Sequence, residues 1–145
     1  MDSKHYVSLE AARLLKELGY NDSANKCYDS RGYLFTSIFN TNEEFDMYKN
    51  VIGENYSAPT LLEAMDWLDS KGIHMEIRMM HCKVKGDPYK IADDDEYQWK
   101  WYFATCNGND VKHPVVECDE NDYVIMHTDR NECMQRAIEK ALDLL

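Results

Sequence analysis

Residues 73–79 read Ile73-His74-Met75-Glu76-Ile77-Arg78-Met79, apolar at every odd position, and Tyr97-Gln98-Trp99-Lys100-Trp101-Tyr102-Phe103 does much the same. A period of two marks a strand with one dry face, because successive side chains of a pleated chain point to opposite sides. Each segment puts four large apolar groups on one face. Trp99 and Trp101 are therefore expected to point the same way, toward a covering layer rather than into solvent. An apolar sheet face cannot stand bare in water, so the rest of the chain has to supply what lies on it.

Three amphipathic segments answer that need. In Pro59-Thr60-Leu61-Leu62-Glu63, Thr60 stands at an N-cap with Glu63 three residues on, the spacing of a capping box. Leu61, Ala64, Met65 and Leu68 follow on one stripe, and Lys71-Gly72 supplies a stop, which predicts a helix over Leu61–Ser70. A first helix begins near Ser8, carries Ala11, Leu14, Leu15 and Leu18 at the same spacing, and ends at Gly19. A last one opens at Asp129 with Glu132 at the box position and runs through Met134, Ala137, Ile138, Ala141 and Leu142 to Leu145.

Weaker strand signals complete the pattern. Residues 33–39 follow the turn Asp29-Ser30-Arg31-Gly32 and are rich in aromatic and β-branched residues. Val115-Val116 and Tyr123-Val124-Ile125-Met126 flank the acidic turn Asp119-Glu120-Asn121-Asp122, and Pro114 restricts the valine pair to an edge or a strand start. The two best strands are joined by a long connection that holds Gly86, Pro88 and the run Asp93-Asp94-Asp95-Glu96. The expectation is one α+β domain over residues 1–145. It has two layers: an antiparallel sheet of about four to five strands, with three amphipathic helices mostly on one face.

Charge narrows the partners. Asp and Glu number 27 against 16 Lys and Arg, a formal net charge of -11. A surface of that sign repels polyanions and anionic lipid, so neither direct nucleic-acid binding nor membrane docking is expected. The acid gathers at Glu43, Glu44 and Asp46, around Asp87 to Glu96, and at Glu117, Asp119, Glu120 and Asp122, which reads as a solvated rim around one core. No secretory signal is visible and no apolar run approaches the roughly 18 residues that cross a bilayer. Five cysteines, an odd number without a Cys-x-x-Cys pair, read as reduced thiols, and the chain is expected in the cytoplasm.

Each chemical motif meets a plainer reading. Asp93, Asp94, Asp95 and Glu96 could surround a hard cation, but they lack the alternating acids, central Gly and late Glu of a calcium loop and read as a solvated turn. Cys106, His113, Cys118, His127 and Cys133 are zinc-ligand types, with His81 and Cys82 outside the group, yet only His113 and Cys118 come close to the spacing of a ligand pair, and Cys133 reads as a core thiol of the last helix. The adjacent His81-Cys82 suggests an activated thiol, but neighbours on a strand point to opposite faces; His127 could instead approach Cys106 or Cys118. Gly-x-Gly-x-x-Gly, Walker, Gly-x-Ser-x-Gly and His-Glu-x-x-His patterns are absent, so no cofactor is implied.

The surface remains. Gln98, Lys100 and Tyr102 share the wet face of one strand, and His74, Glu76 and Arg78 that of its partner, a composition suited to a modest protein-binding surface. The expected interaction surface is Asp93, Asp94, Asp95, Glu96, Lys100 and Tyr102, and the expected role is a non-enzymatic interaction or regulatory module that binds a protein partner or itself. The alternative is an acidic decoy that mimics nucleic acid and occupies a DNA-binding cleft. A thiol-dependent enzyme stands third.

The block Tyr56-Ser57-Ala58-Pro59-Thr60-Leu61-Leu62-Glu63-Ala64-Met65-Asp66-Trp67-Leu68, the opening Tyr6-Val7-Ser8-Leu9-Glu10-Ala11-Ala12-Arg13-Leu14-Leu15-Lys16-Glu17-Leu18-Gly19 and the closing helix resemble a group of small uncharacterised proteins from gut bacteria and their phages or mobile elements. The resemblance covers most of the chain. It implies an accessory role in a phage or mobile element and brings no mechanism or site residue with it.

Overall fold

The computed structural model describes residues 3–87, 89–107 and 114–145. After a 3-10 turn at Ser3–His5 come α1 (Leu9–Glu17), β1 (Lys26–Tyr28), β2 (Leu34–Thr36), α2 (Asn42–Met47), α3 (Lys49–Ile52) and β3 (Tyr56–Ala58). The second half holds α4 (Leu61–Ser70), β4 (Ile73–Lys85), β5 (Glu96–Asn107), β6 (Val115–Val116) and α5 (Arg130–Leu142). The chain is α+β.

The local signals act through identifiable bonds. Thr60 Oγ1 accepts from Glu63 N at 3.2 Å while Glu63 Oε1 accepts from Thr60 N at 2.9 Å, so α4 begins at the expected residue. At the end of α1, Gly19 takes φ 95°. Gly19 N then reaches Lys16 O at 3.1 Å and Tyr20 N reaches Leu15 O at 2.8 Å, the paired bonds of a Schellman stop. Asp129 Oδ1 accepts from Asn131 N at 2.7 Å and opens α5.

Among the described residues, the expected single sheet of four to five strands is instead two three-stranded antiparallel sheets, in the orders β2-β1-β3 and β4-β5-β6. Five α-helices stand among those residues where three were expected. The strand expected over residues 33–39 shortens to β2, while β1 and β3, three residues each, carry no period that would announce them. Residues 123–126 form no strand: a bridge of Cys118 to Val124 and another of Trp101 to His127 hold them as a loop. Its turn is closed by Asp119 Oδ1, which accepts from Asn121 N and Tyr123 N. The missed α2 starts at Thr41, whose Oγ1 accepts from Glu44 N at 3.2 Å.

The main core lies where α1, α4 and α5 meet, and it includes Val7, Leu15, Leu68, Ile73 and Ile138. Burying an Ile or Leu side chain contributes roughly 1.5–3 kcal/mol, and α5 turns Met134, Ile138 and Leu142 inward along one stripe. Phe103, Cys133 and Ala137 form a smaller cluster that seats α5 on β5, with Met75, Ile77 and Trp101 at its margin.

Candidate functional site

The long hairpin outruns its cover. At about 3.3 Å per residue the 13 residues of β4 extend roughly 40 Å, whereas the 13 residues of α5 at 1.5 Å each span only about 20 Å. Along the face that α5 covers, Phe103 is 2 % exposed, Trp101 is half-buried, Trp99 is 59 % exposed and Tyr97 is 42 % exposed. Across the pair, Ile73 is buried and Met79 reaches 50 %. The expectation that Trp99 and Trp101 both face the helices therefore fails for Trp99: the alternation holds, but no helix reaches that far.

The uncovered half of the face is ordered and aromatic. The antiparallel register sets Met79 opposite Trp101, His81 opposite Trp99 and Lys83 opposite Tyr97. The His81 ring lies 4.8 Å from Trp99, 25° from parallel, and 5.2 Å from Tyr97, so the three rings make a shelf. At its base the Arg130 guanidinium sits 5.6 Å from the centre of the Trp101 ring. Trp101 is also fixed by backbone bonds of 2.7 Å in both directions with His127.

The tip is organised by one cation. Lys83 Nζ lies 2.7 Å from Asp95 Oδ2 and donates to the carbonyls of Asp87 and Lys90. Asp95 Oδ2 also accepts from Ala92 N at 2.6 Å, and its side chain is 2 % exposed. Lys83 and the Ala92 amide hold the Asp95 carboxyl below the ordinary carboxylate range. The loop passes so close that a Cβ on Gly86, at φ 103°, would lie 1.8 Å from Asp95 Oδ1.

The expected interaction residues do not form one surface. Asp93 and Asp94 are exposed on the loop, but Asp95 is withdrawn onto Lys83. Glu96 pairs with Lys85, Lys100 with Met80, and Tyr102 with Arg78. Glu96, Lys100 and Tyr102 share the other face of the hairpin, spread over about 20 Å. There the Arg78 guanidinium is held 2.6 Å from Glu76 Oε2, and Glu76 and Tyr102 raise its pKa further. Sequence reasoning placed the surface on the polar face; the aromatic shelf of Tyr97, Trp99 and His81, with Met79, lies on the opposite one, while exposed Met80 is on the polar face. The ratio of strand length to helix length was the signal that could have found them.

Charge is unevenly shared. Within β4, β5 and their connection, five Lys and Arg meet six Asp and Glu; the rest of the chain holds eleven cations against twenty-one acids. The hairpin is nearly neutral and the body carries almost all of the -11. The acid of the hairpin loop is thus offset by its lysines, unlike the rim expected there. Some acids of the body have cation partners: Glu117 takes Arg136 at 2.8 Å and Lys140 at 3.4 Å, and Asp46 takes Lys16 at 2.8 Å.

The thiol and metal candidates separate. His81 and Cys82 point to opposite faces, opposite Trp99 and Gln98. Cys133 is buried beside Phe103, and burial, with Glu117 and Glu132 nearby, pushes its thiol up to about 11. Cys118 is exposed, with Sγ 3.6 Å from Val116 O, while the His127 ring lies against Phe103. His113 lies outside the described residues. Among the described residues no group of three or more His, Cys, Asp or Glu side chains is placed to hold a metal ion. One pairing was not foreseen: Cys106 stands directly across the strands from His74, whose Nδ1 contacts Asp69 Oδ1.

No protein-family model matches the chain, and no curated protein or solved structure matches it. Among the described residues, no helix is long and apolar enough to cross a membrane.

Proposed function

We propose that this protein is a non-enzymatic protein-interaction module whose binding element is the distal half of the β4–β5 hairpin. The observation that carries the reading is the shelf of Tyr97, His81 and Trp99 with Met79, large yet half exposed and held in register by the pairing of β4 with β5. Aromatic and Met side chains are enriched in protein interfaces, and contiguous exposed apolar groups mark such surfaces on soluble chains. The acidic body disfavours nucleic acid as the partner. A regulatory accessory role in a phage or mobile element, in the cytoplasm, belongs to the same reading. The decoy reading is less well supported, since Asp95, Glu117 and Asp46 are engaged internally.

The test is affinity capture from source cells with the wild-type chain, a Trp99→Ser variant, and an Ile38→Ser variant at an exposed apolar residue outside the hairpin. A partner kept by Ile38→Ser and lost by Trp99→Ser is expected; a partner retained equally by all three refutes the arm as the binding element.

A second reading, thiol chemistry, is favoured by the alignment of Asp69, His74 and Cys106. The rate of Cys106 alkylation at neutral pH, followed by peptide mass spectrometry, should then fall in His74→Ala; an unchanged rate rejects it.

A further inference from the structure

We infer that the cleft between β2, the loop that follows it and the end of α3 binds a small neutral heteroaromatic molecule with a lactam edge, an N–H donor beside a carbonyl acceptor. The site stands apart from the hairpin, and its test leaves Trp99 untouched.

One side chain carries the inference. Asn55, the residue before β3, is 4 % exposed and lines this cleft. Its backbone carbonyl accepts from Lys16 Nζ at 2.9 Å, but no other described residue hydrogen-bonds its side-chain amide. Asn42 shows the ordinary arrangement: it is as deeply buried, and its amide is spent on Tyr20 O and Ser57 N. Buried amides are nearly always satisfied, because water lost from them has to be replaced. The Asn55 amide has no such use within the fold and faces the one space from which a partner can arrive.

The rest of the lining selects the ligand. The cleft measures about 460 Å³, the size of a small-molecule site, and its walls are Phe35, Phe39 and Ile52 with Ile38 at the rim. Phe39 is fixed by stacking on Tyr48, ring centres 4.5 Å apart and 12° from parallel, so an aromatic wall is already in place for a flat ring. A primary amide presents an acceptor and donors in one plane, and its complement is a coplanar donor and acceptor on neighbouring atoms, which is a lactam edge. Charge removes the ionic alternatives. Asp29, the one ionisable group of the lining, accepts from Arg31 N and Tyr33 N through Oδ1, and its Oδ2 lies 3.2 Å from the Arg31 guanidinium. That pair is balanced, so a cation finds no free counter-charge, and an anion meets a chain of net charge -11.

The probe is 2-quinolone, titrated to about 2 mM into the full chain and followed by two-dimensional amide NMR, a range that reads millimolar affinity. Saturable shifts are expected at residues 35–39, 52 and 55. N-methyl-2-quinolone keeps the ring and the carbonyl but lacks the donor, and should bind at least about fivefold more weakly. Asn55→Leu keeps the bulk and removes the amide. It should also weaken 2-quinolone at least about fivefold, while the melting temperature stays level or rises, because the amide has no partner in the folded chain to lose. An Asn55 that serves only the fold would lower the melting temperature instead. The absence of saturable shifts with 2-quinolone, 2-pyridone and benzamide overturns the inference. So do shifts centred on the hairpin, equal affinity for the N-methyl compound, or an Asn55→Leu chain that binds as before. The N-methyl comparison needs no variant and decides the matter even where Asn55→Leu does not fold.

Discussion

Replacing Asn42 should destabilise this protein more than any exposed substitution, because one buried amide ties three parts of the chain together. Asn42 Nδ2 donates to Tyr20 O at 2.7 Å, just past α1, and Asn42 Oδ1 accepts from Ser57 N at 2.9 Å, in the middle of β3. Asn42, Tyr20 and Ser57 are all buried. In Asn42→Ala a carbonyl and an amide lose their partners away from water, each costing about 1–3 kcal/mol, so the loss is about 2–5 kcal/mol after partial relaxation. At roughly 3 °C per kcal/mol for a chain of this size, the melting temperature should fall by about 6–15 °C. Asn42→Asp separates the two bonds. Its carboxylate can still accept from Ser57 N, but it offers nothing to Tyr20 O and places a charge against that carbonyl. At neutral pH it should be at least as damaging as Ala. As acid protonates the carboxyl, a donor returns and part of the deficit should vanish, whereas the Ala deficit stays constant with pH. Differential scanning calorimetry of the three proteins across pH measures all of this. An Asn42→Ala chain melting within about 2 °C of wild type, or Asp and Ala deficits that run parallel with pH, would refute the reasoning.

Two further outcomes are accessible to simple assays. Burial pushes the Cys27 and Cys133 thiols up to about 11, so both should resist alkylation in the native protein and react only on unfolding, while Cys82, Cys106 and Cys118 react first; early labelling of Cys27 or Cys133 contradicts this packing. Burial raises the Glu117 pKa, but Arg136 and Lys140 outweigh it and hold the carboxyl below its ordinary value of 4.5. The carboxylate therefore contributes stability above about pH 4.5 that is lost as pH falls through its lowered folded value. Glu117→Gln should cost about 1–2 kcal/mol at pH 7, with a gap that closes in acid; a urea-midpoint difference that does not change between neutral and acidic pH counts against the ion pair.

What could be read in the chain was whatever is written locally. The Thr60–Glu63 box, the Gly19 stop and the Asp129 cap each act within a few residues, and α1, α4 and α5 lie where their stripes placed them. The alternation in Ile73-His74-Met75-Glu76-Ile77 and in Tyr97 to Phe103 likewise identified β4 and β5, though not their full length. Thr41 and Glu44 offered the same cap spacing for α2, but the helix is too short to show a stripe. Nothing local marks β1 or β3, because three residues cannot display a period and they exist through pairing with each other across about 30 positions. Asn42 reads as loop until Tyr20 and Ser57 close around it.

The candidate site divides in the same way. The sequence by itself determined that Tyr97, Trp99 and Trp101 would share one face of a strand, and Met79 the apolar face of another, since the pleat leaves no choice. Only the tertiary structure decided which of them would be covered. A helix advances 1.5 Å per residue and a strand about 3.3 Å, so α5, seated by Phe103, Cys133 and Ala137 at one end of the hairpin, shelters Phe103 and stops short of Trp99.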